Sequence, residues 1–209
     1  FLFFTLLPSL LFPPTNLIST GSTGFLGSHV VQSLLEHNWV VRALIRQPPS
    51  TPSPKFSHLL RLPHQENLKL IQVDLMSNDA DNLKHLREVF DGADTCFHVA
   101  SPFFNQPKED PEKELIEPAI RMTENVLKTA ADVSSLKTVI LTSSTAAVYV
   151  RPEGRVKGKR AGEGEGGEVE EDMWSDEAWM REKKLFYPLG KTKAEKWAWN
   201  YVGGGGEGE

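Results

Sequence analysis

Short apolar runs alternate with longer amphipathic segments from residue 16 to residue 150. The apolar runs predict five strands, at 16–20, 40–45, 68–73, 95–99 and 138–142. Apolar residues at helical spacing predict helices at 25–37, 81–90, 112–133 and 186–201, with a short further helix at 55–62. Pro118 is expected to distort the early turns of the helix 112–133. Because strands and helices alternate, we expect parallel strands joined by right-handed crossovers, which form a doubly wound α/β sheet.

Glycine is sparse in these periodic segments and clusters only between the first strand and the first helix. Two other segments, 151–172 and 203–209, are rich in glycine and acid and nearly devoid of apolar residues, so we expect them to be disordered. The apolar leader 1–15 is expected to lie outside the fold. These limits predict one α/β domain at 16–150, to which the helical segment 173–202 also belongs.

The composition excludes several classes of protein. The net charge of −5 comes mostly from the two glycine-rich segments, so the folded part is nearly neutral and nucleic-acid binding is not expected. The single cysteine, Cys96, can form neither an internal disulfide nor a cysteine-based zinc site. This predicts a reducing, cytoplasmic environment and no metal site. No apolar run approaches the roughly 18 residues of a membrane span.

Ligands of doubly wound sheets bind beyond the carboxyl ends of the strands. After the first strand comes a GxxGxxG turn, in which Gly21 permits a tight turn, Gly24 a close diphosphate and Gly27 close packing of the helix. The N–H groups at the helix N-terminus favour the anion. The residues expected to contact a dinucleotide here are Gly21, Ser22, Thr23, Gly24, Phe25, Leu26 and Gly27.

The next two strands indicate which dinucleotide is bound. An NAD-binding protein should carry an acid after the second strand, whereas this sequence has Arg46, which suits the 2′-phosphate of NADPH. Lys55 is a weaker second candidate for that contact. After the third strand, Asp74 and Leu75 are expected at the adenine, although an aspartate at a strand end is also a common helix cap.

The fourth strand ends in small residues that leave room for a flat cofactor: Val99, Ala100 and Ser101. His98, which precedes them, is expected to pack within the strand rather than to act in catalysis.

The candidate catalytic residues follow the fifth strand and open the last helix. Tyr187 and Lys191 stand at positions i and i+4, so they share one helix face, where an ammonium stabilises a phenolate. Ser144 follows the fifth strand, and its hydroxyl can polarise a substrate oxygen. Ser143 adjoins it, and because side chains alternate along a strand only one of the two should face the cofactor.

The glycine turn, the serine and the YxxxK helix, in this order, resemble the extended short-chain dehydrogenase/reductase family. The resemblance is closest to the plant branch of dihydroflavonol and cinnamoyl-CoA reductases. Its further pieces are VDL at 73–75, FDGADTCFHVASP at 90–102, ENVLKTA at 124–130, VILTSS at 139–144, WSDEAW at 174–179 and FYPLGKTKAEKWAW at 186–199.

This resemblance implies a Rossmann fold and NADPH-dependent reduction of a small carbonyl substrate. The substrate would be an aldehyde, a ketone or a CoA thioester of phenylpropanoid or flavonoid type. The resemblance assigns proton donation to Tyr187, ribose binding and phenolate stabilisation to Lys191, and a hydrogen bond to the carbonyl oxygen to Ser144.

The sequence also departs from these enzymes. Tyr149 stands where a dihydroflavonol reductase has asparagine, and LFYPLGK replaces the NWYCYGK of a cinnamoyl-CoA reductase, so neither substrate is supported. The family continues into a smaller substrate domain after the YxxxK helix, and we expect that domain to be missing here. A nucleotide-sugar epimerase or dehydratase and a non-catalytic cofactor-binding fragment stay open as alternatives. The sequence leaves the oligomeric state open.

Overall fold

The computed structural model describes residues 16–50, 53–103, 109–152 and 173–203. The leader 1–15, most of the segment 151–172 and the tail after Gly203 lie outside these residues, so their predicted disorder stays a prediction. The described residues form two compact units. The sheet unit comprises 16–50, 53–101 and 122–142, and the helical unit comprises 102–103, 109–121, 143–152 and 173–203.

The sheet unit contains all five predicted strands, and every pair of neighbouring strands is parallel. They are β1 (Asn16–Thr20), β2 (Val40–Ile45), β3 (Leu68–Gln72), β4 (Thr95–His98) and β5 (Thr138–Leu141), in the order β3-β2-β1-β4-β5. The strand order reverses at β1, as in a doubly wound sheet. This confirms the predicted fold class, with strand ends within one residue of those expected. Cys96 is fully buried in β4, and burial raises the pKa of its thiol.

Three helices connect these strands: α1 (Phe25–Glu36), α2 (Ala80–Phe90) and α3 (Glu117–Ala131). The core of the sheet unit forms where α1 turns Val31, Leu34 and Leu35 toward the strands. The helix predicted at 55–62 is wrong in extent, since only Leu59–Arg61 forms a 3₁₀ turn. Serine competes with helical hydrogen bonds there, because Ser57 Oγ donates to the Pro54 carbonyl and Ser53 Oγ accepts from Lys55 N.

The helical unit contains α4 (Glu177–Glu182) and α5 (Phe186–Val202), and its core packs Ile116 against Met180 and Leu189. The distortion expected near Pro118 takes the form of a π-helical turn, Glu112–Ile116, because proline has no N–H for a regular helical bond. The short helix α4 was not predicted, since six residues are too few to show a helical period. Its start is fixed by Asp176, whose carboxylate accepts from Trp179 N at 2.9 Å.

Within the described ranges, no helix combines the length and the apolar character needed to cross a membrane. The same residues contain no group of three or more histidine, cysteine, aspartate or glutamate side chains placed to hold a metal ion.

The turn from β1 into α1 requires glycine at two positions. Gly21 has a φ of +67°, and a Cβ there would lie 2.7 Å from the Ala100 backbone nitrogen. A Cβ on Gly27 would lie 2.1 Å from the Gly21 carbonyl oxygen. The close approach that Gly27 permits is therefore between the first turn of α1 and the backbone of the glycine turn.

We expect Gly27→Ala to lower the free energy of unfolding by about 3 kcal/mol, because the new methyl group overlaps a carbonyl that cannot move away. Gly24→Ala is the matched control, since its Cβ would lie 3.3 Å from the same carbonyl oxygen and its φ of −84° suits alanine. That variant should lose at most about 1 kcal/mol. Urea denaturation followed by circular dichroism measures both losses, and equal losses would contradict the steric argument.

Candidate active site

The N-terminus of α1 lies at the surface and has no side-chain cap. Gly24 is the N-cap residue, no side chain caps the helix, and the first turn holds no acidic residue. Gly24, Phe25 and Leu26 are exposed, with Phe25 86% accessible. Backbone N–H groups and the positive end of the helix dipole therefore face outward, where an anion such as a diphosphate is stabilised.

Not every residue of the glycine turn reaches the surface. Ser22 is fully buried, and its hydroxyl donates to the Ser19 carbonyl at 2.7 Å, so its side chain holds the turn together. Thr23 is half-buried.

The structure brings the end of β4 against the glycine turn. Thr20 Oγ1 accepts from Val99 N at 3.2 Å and from Ala100 N at 3.1 Å. His98 is buried, as expected, with its Nδ1 2.8 Å from the same threonine oxygen. Two segments that the sequence singled out separately, the glycine turn and residues 99–101, thus form one surface of the sheet unit, with Ser101 half-buried.

The residues expected at the nucleoside end lie after β2 and β3. Arg46 and Lys55 are both exposed. Asp74 is exposed, and its Oδ1 accepts from Met76 N at 2.9 Å within a tight turn. It does not cap α2, because that role falls to Asp79, which accepts from Asp81 N and Asn82 N.

Sequence reasoning missed a residue that shapes this turn. Leu75 is buried, and its carbonyl accepts from the side chain of the buried Asn125 at 2.9 Å. The same amide group lies 3.1 Å from Asn78 Oδ1. Asn125 belongs to the family-like segment 124–130, yet its spacing on α3 gave no hint of a contact with a loop 50 residues earlier.

In the helical unit, α5 carries both Tyr187 and Lys191. Tyr187 is half-buried, and its ring meets that of Phe103 edge to face at 4.9 Å and 83°. Lys191 is only 7% exposed. Burial lowers the pKa of Lys191 from 10.5 to about 8, and the carboxylate of Glu195 partly opposes that shift.

The two serines after β5 make different contacts. Ser143 Oγ donates to the carboxylate of Glu195, on α5. Ser144 is the N-cap of a 3₁₀ turn, Thr145–Ala147, and its Oγ accepts from Ala146 N at 3.2 Å. This turn packs against α5, so the structure brings the predicted serine to the helix that carries Tyr187 and Lys191. Glu195 is a second residue that the motif analysis did not single out.

Comparisons with known proteins identify the family to which the chain is related. The model of the NAD dependent epimerase/dehydratase family matches residues 17–169. Anthocyanidin reductase of Arabidopsis thaliana is 36% identical over 185 residues, which is 87% of this chain and 49% of that enzyme. Cinnamoyl-CoA reductase CAD2 of Medicago truncatula is 35% identical over 184 residues, which is 88% of this chain and 52% of the relative. The chain thus spans about half the length of the curated relatives it matches.

Among solved structures, Gre2 of Candida albicans in complex with NADPH superposes with a TM-score of 0.72 at 29% identity. The superposition covers 91% of this chain and 54% of Gre2. Since the family model matches well over half of the sequence, the chain belongs to the NAD dependent epimerase/dehydratase family, the extended short-chain dehydrogenases/reductases predicted from its motifs.

Proposed function

We propose that this protein is an NADPH-dependent reductase that converts the carbonyl group of a small aromatic substrate into an alcohol. The observation that carries the proposal is the buried Lys191, one helical turn after Tyr187, on a helix that packs against the turn capped by Ser144. The similar anthocyanidin and cinnamoyl-CoA reductases, and the NADPH complex of Gre2, support it.

The sheet unit fits NADPH in its donor chemistry. The uncapped N-terminus of α1 would hold the diphosphate through backbone N–H groups, and Gly24 leaves its surface open apart from the Gly21 carbonyl. Arg46 would pair with the 2′-phosphate, and the turn at Asp74 would face the adenine. When bound, NADPH supplies the hydride that reduces the carbonyl carbon.

The helical unit supplies the proton and stabilises the charge that its loss leaves behind. The hydroxyl of Tyr187 donates its proton to the carbonyl oxygen and becomes a phenolate, which the ammonium of Lys191 stabilises. Ser144 Oγ accepts from Ala146 N, so its own hydroxyl hydrogen can be donated to the same carbonyl oxygen.

The position of Phe103 favours an aromatic substrate for the proposed reaction. Its ring is 71% exposed and touches the edge of Tyr187, so an apolar aromatic surface lies next to the proposed proton donor. A flat substrate ring can pack on such a surface with its carbonyl close to the tyrosine hydroxyl.

The cofactor preference is tested at Arg46. Arg46→Glu should weaken NADPH binding about 10- to 100-fold, because a charge-assisted contact is replaced by repulsion, and should change NADH binding little. Arg61→Glu makes the same charge change at another exposed arginine of the sheet unit and should leave both affinities as they were. Isothermal titration calorimetry with both nucleotides measures this. Equal affinity of the unaltered protein for NADPH and NADH would refute the assignment.

The proton donor is tested at Tyr187. Tyr187→Phe keeps the ring and its contact with Phe103, so NADPH affinity should persist while reduction of an aromatic aldehyde falls about 10²- to 10⁴-fold. Reduction at the native rate would disprove the role of Tyr187. Tight NADPH binding without turnover in the unaltered protein would favour the non-catalytic alternative.

The pH dependence follows from the lowered pKa of Lys191. The ammonium is present below pH 8 and is lost as the pH rises through about 8, so turnover should be steady below that point and decline above it. The free energy of unfolding shows the opposite trend. Between pH 8 and 10.5 the Lys191 side chain binds a proton more readily in the unfolded chain than in the folded one, so its contribution to stability rises with pH in that range. An NMR titration of the lysine ¹³Cε signals measures the protonation midpoint of Lys191. The signal of Lys191 is identified as the one that is absent from the spectrum of Lys191→Met. A midpoint near 10.5 would contradict the burial argument.

A further inference from the structure

We propose that Glu195 is a positioning residue: its one carboxylate holds Ser143 away from the substrate and keeps Lys191 charged. The inference deepens the proposed function and rests on it. In this inference, Glu195 determines that Ser144 rather than Ser143 contacts the substrate. It also stabilises the charged form of Lys191, which in turn supports Tyr187.

The carboxylate of Glu195 is buried, where a charge is stable only if it has polar partners. Glu195 is only 1% exposed, deep in the helical unit, and a carboxylate without partners would be very unfavourable there. It accepts a hydrogen bond from Ser143 Oγ and stands one turn after Lys191 on α5. A buried acid that accepts from a hydroxyl and lies one helical turn from an ammonium is typical of a polar network that fixes side-chain positions.

The contact with Ser143 separates two neighbouring and chemically identical side chains. A hydroxyl has one hydrogen to donate, and that of Ser143 is committed to Glu195. Ser144, in contrast, uses its oxygen as an acceptor for Ala146 N and keeps its hydrogen for a ligand. The carboxylate therefore determines that Ser144, and not Ser143, donates to a carbonyl oxygen.

The same carboxylate acts on the charge of Lys191. Desolvation of this buried ammonium favours its neutral form, and Glu195 is the charged group that opposes this. Acids on the elements that pack against α5 are engaged elsewhere. Glu112 of the π-helical turn pairs with Arg181 at 2.8 Å, and Glu177 of α4 pairs with Lys196 at 2.5 Å.

Further polar groups near α5 are likewise committed to other partners. Glu177 also pairs with Lys193, at 3.6 Å, and Glu114 accepts from the backbone nitrogens of Glu109 and Asp110. Asp176 caps α4. These contacts of the acids are thus with groups other than Lys191, whereas Glu195 stands one helical turn after that lysine and acts on its charge.

The charge role is tested with Glu195→Gln, which keeps the shape and loses the charge. The NMR midpoint of Lys191 should move below its native value by about one pH unit, whether or not the protein turns over. The rate decline at high pH should move by the same amount. Glu177→Gln is the matched control, since it removes a carboxylate that pairs with two other lysines of α5, and it should leave the Lys191 midpoint in place. An unchanged midpoint in Glu195→Gln overturns the charge role.

The serine role is tested separately, with variants that retain Glu195. Ser144→Ala should reduce turnover about 10²-fold or more, whereas Ser143→Ala should stay within a few-fold of native. Loss of turnover in Ser143→Ala with a native rate in Ser144→Ala would overturn the inference. Because both serine variants retain Glu195, this comparison tests the serine role even if Glu195→Gln does not fold. If the unaltered protein reduces no carbonyl, the proposed function fails, while the Lys191 midpoint still reports on Glu195.

Discussion

The close contact between Gly27 and the Gly21 carbonyl is the constraint on which the sheet unit depends. A side chain at Gly27 would begin 2.1 Å from that oxygen, so α1 can start at this position only if residue 27 is glycine. The contact places the uncapped helix N-terminus directly beyond β1, at the strand where the sheet order reverses. The same turn abuts the end of β4, because Gly21 approaches the Ala100 backbone. Under the proposed function, the backbone donors at this helix end bind the diphosphate without any charged side chain.

The helical unit depends on a different kind of interaction, the burial of opposite charges on one helix. Lys191 and Glu195 are both nearly inaccessible, and neither would be stable alone in that environment. Burial brings the pKa of the lysine near 8, and the carboxylate limits how far it falls. The lysine is thus kept charged at neutral pH while it remains poorly hydrated, and under the proposed function this charge stabilises the phenolate of Tyr187.

The sequence was most informative where a local rule acts alone. Strand β2 has β-branched or apolar residues at every position except Arg42, and its limits are predicted to the residue. The glycine turn is recognisable in the sequence because the positive φ at Gly21 and the steric overlap at Gly27 allow only glycine at those positions. The sequence-based prediction failed where contacts with distant residues or competing hydrogen bonds determine the local structure. The serines after Gln47 broke the helix expected at 55–62, and Asn125 reaches a loop far away in sequence. The YxxxK spacing located Tyr187 and Lys191, but nothing local distinguishes Ser143 from Ser144, since their difference lies in Glu195 on another element.

The two units also differ in how they respond to pH, and the difference has a chemical cause. Backbone N–H groups do not titrate, so the donors at the N-terminus of α1 are the same at every pH. In the helical unit, α5 carries a buried lysine whose pKa is lowered to about 8. If the proposed function holds, diphosphate binding by these donors should persist at a pH where proton transfer from Tyr187 has already declined. Under the proposed function, this separation arises because backbone donors bind the diphosphate while a buried ionisable side chain supports the proton transfer.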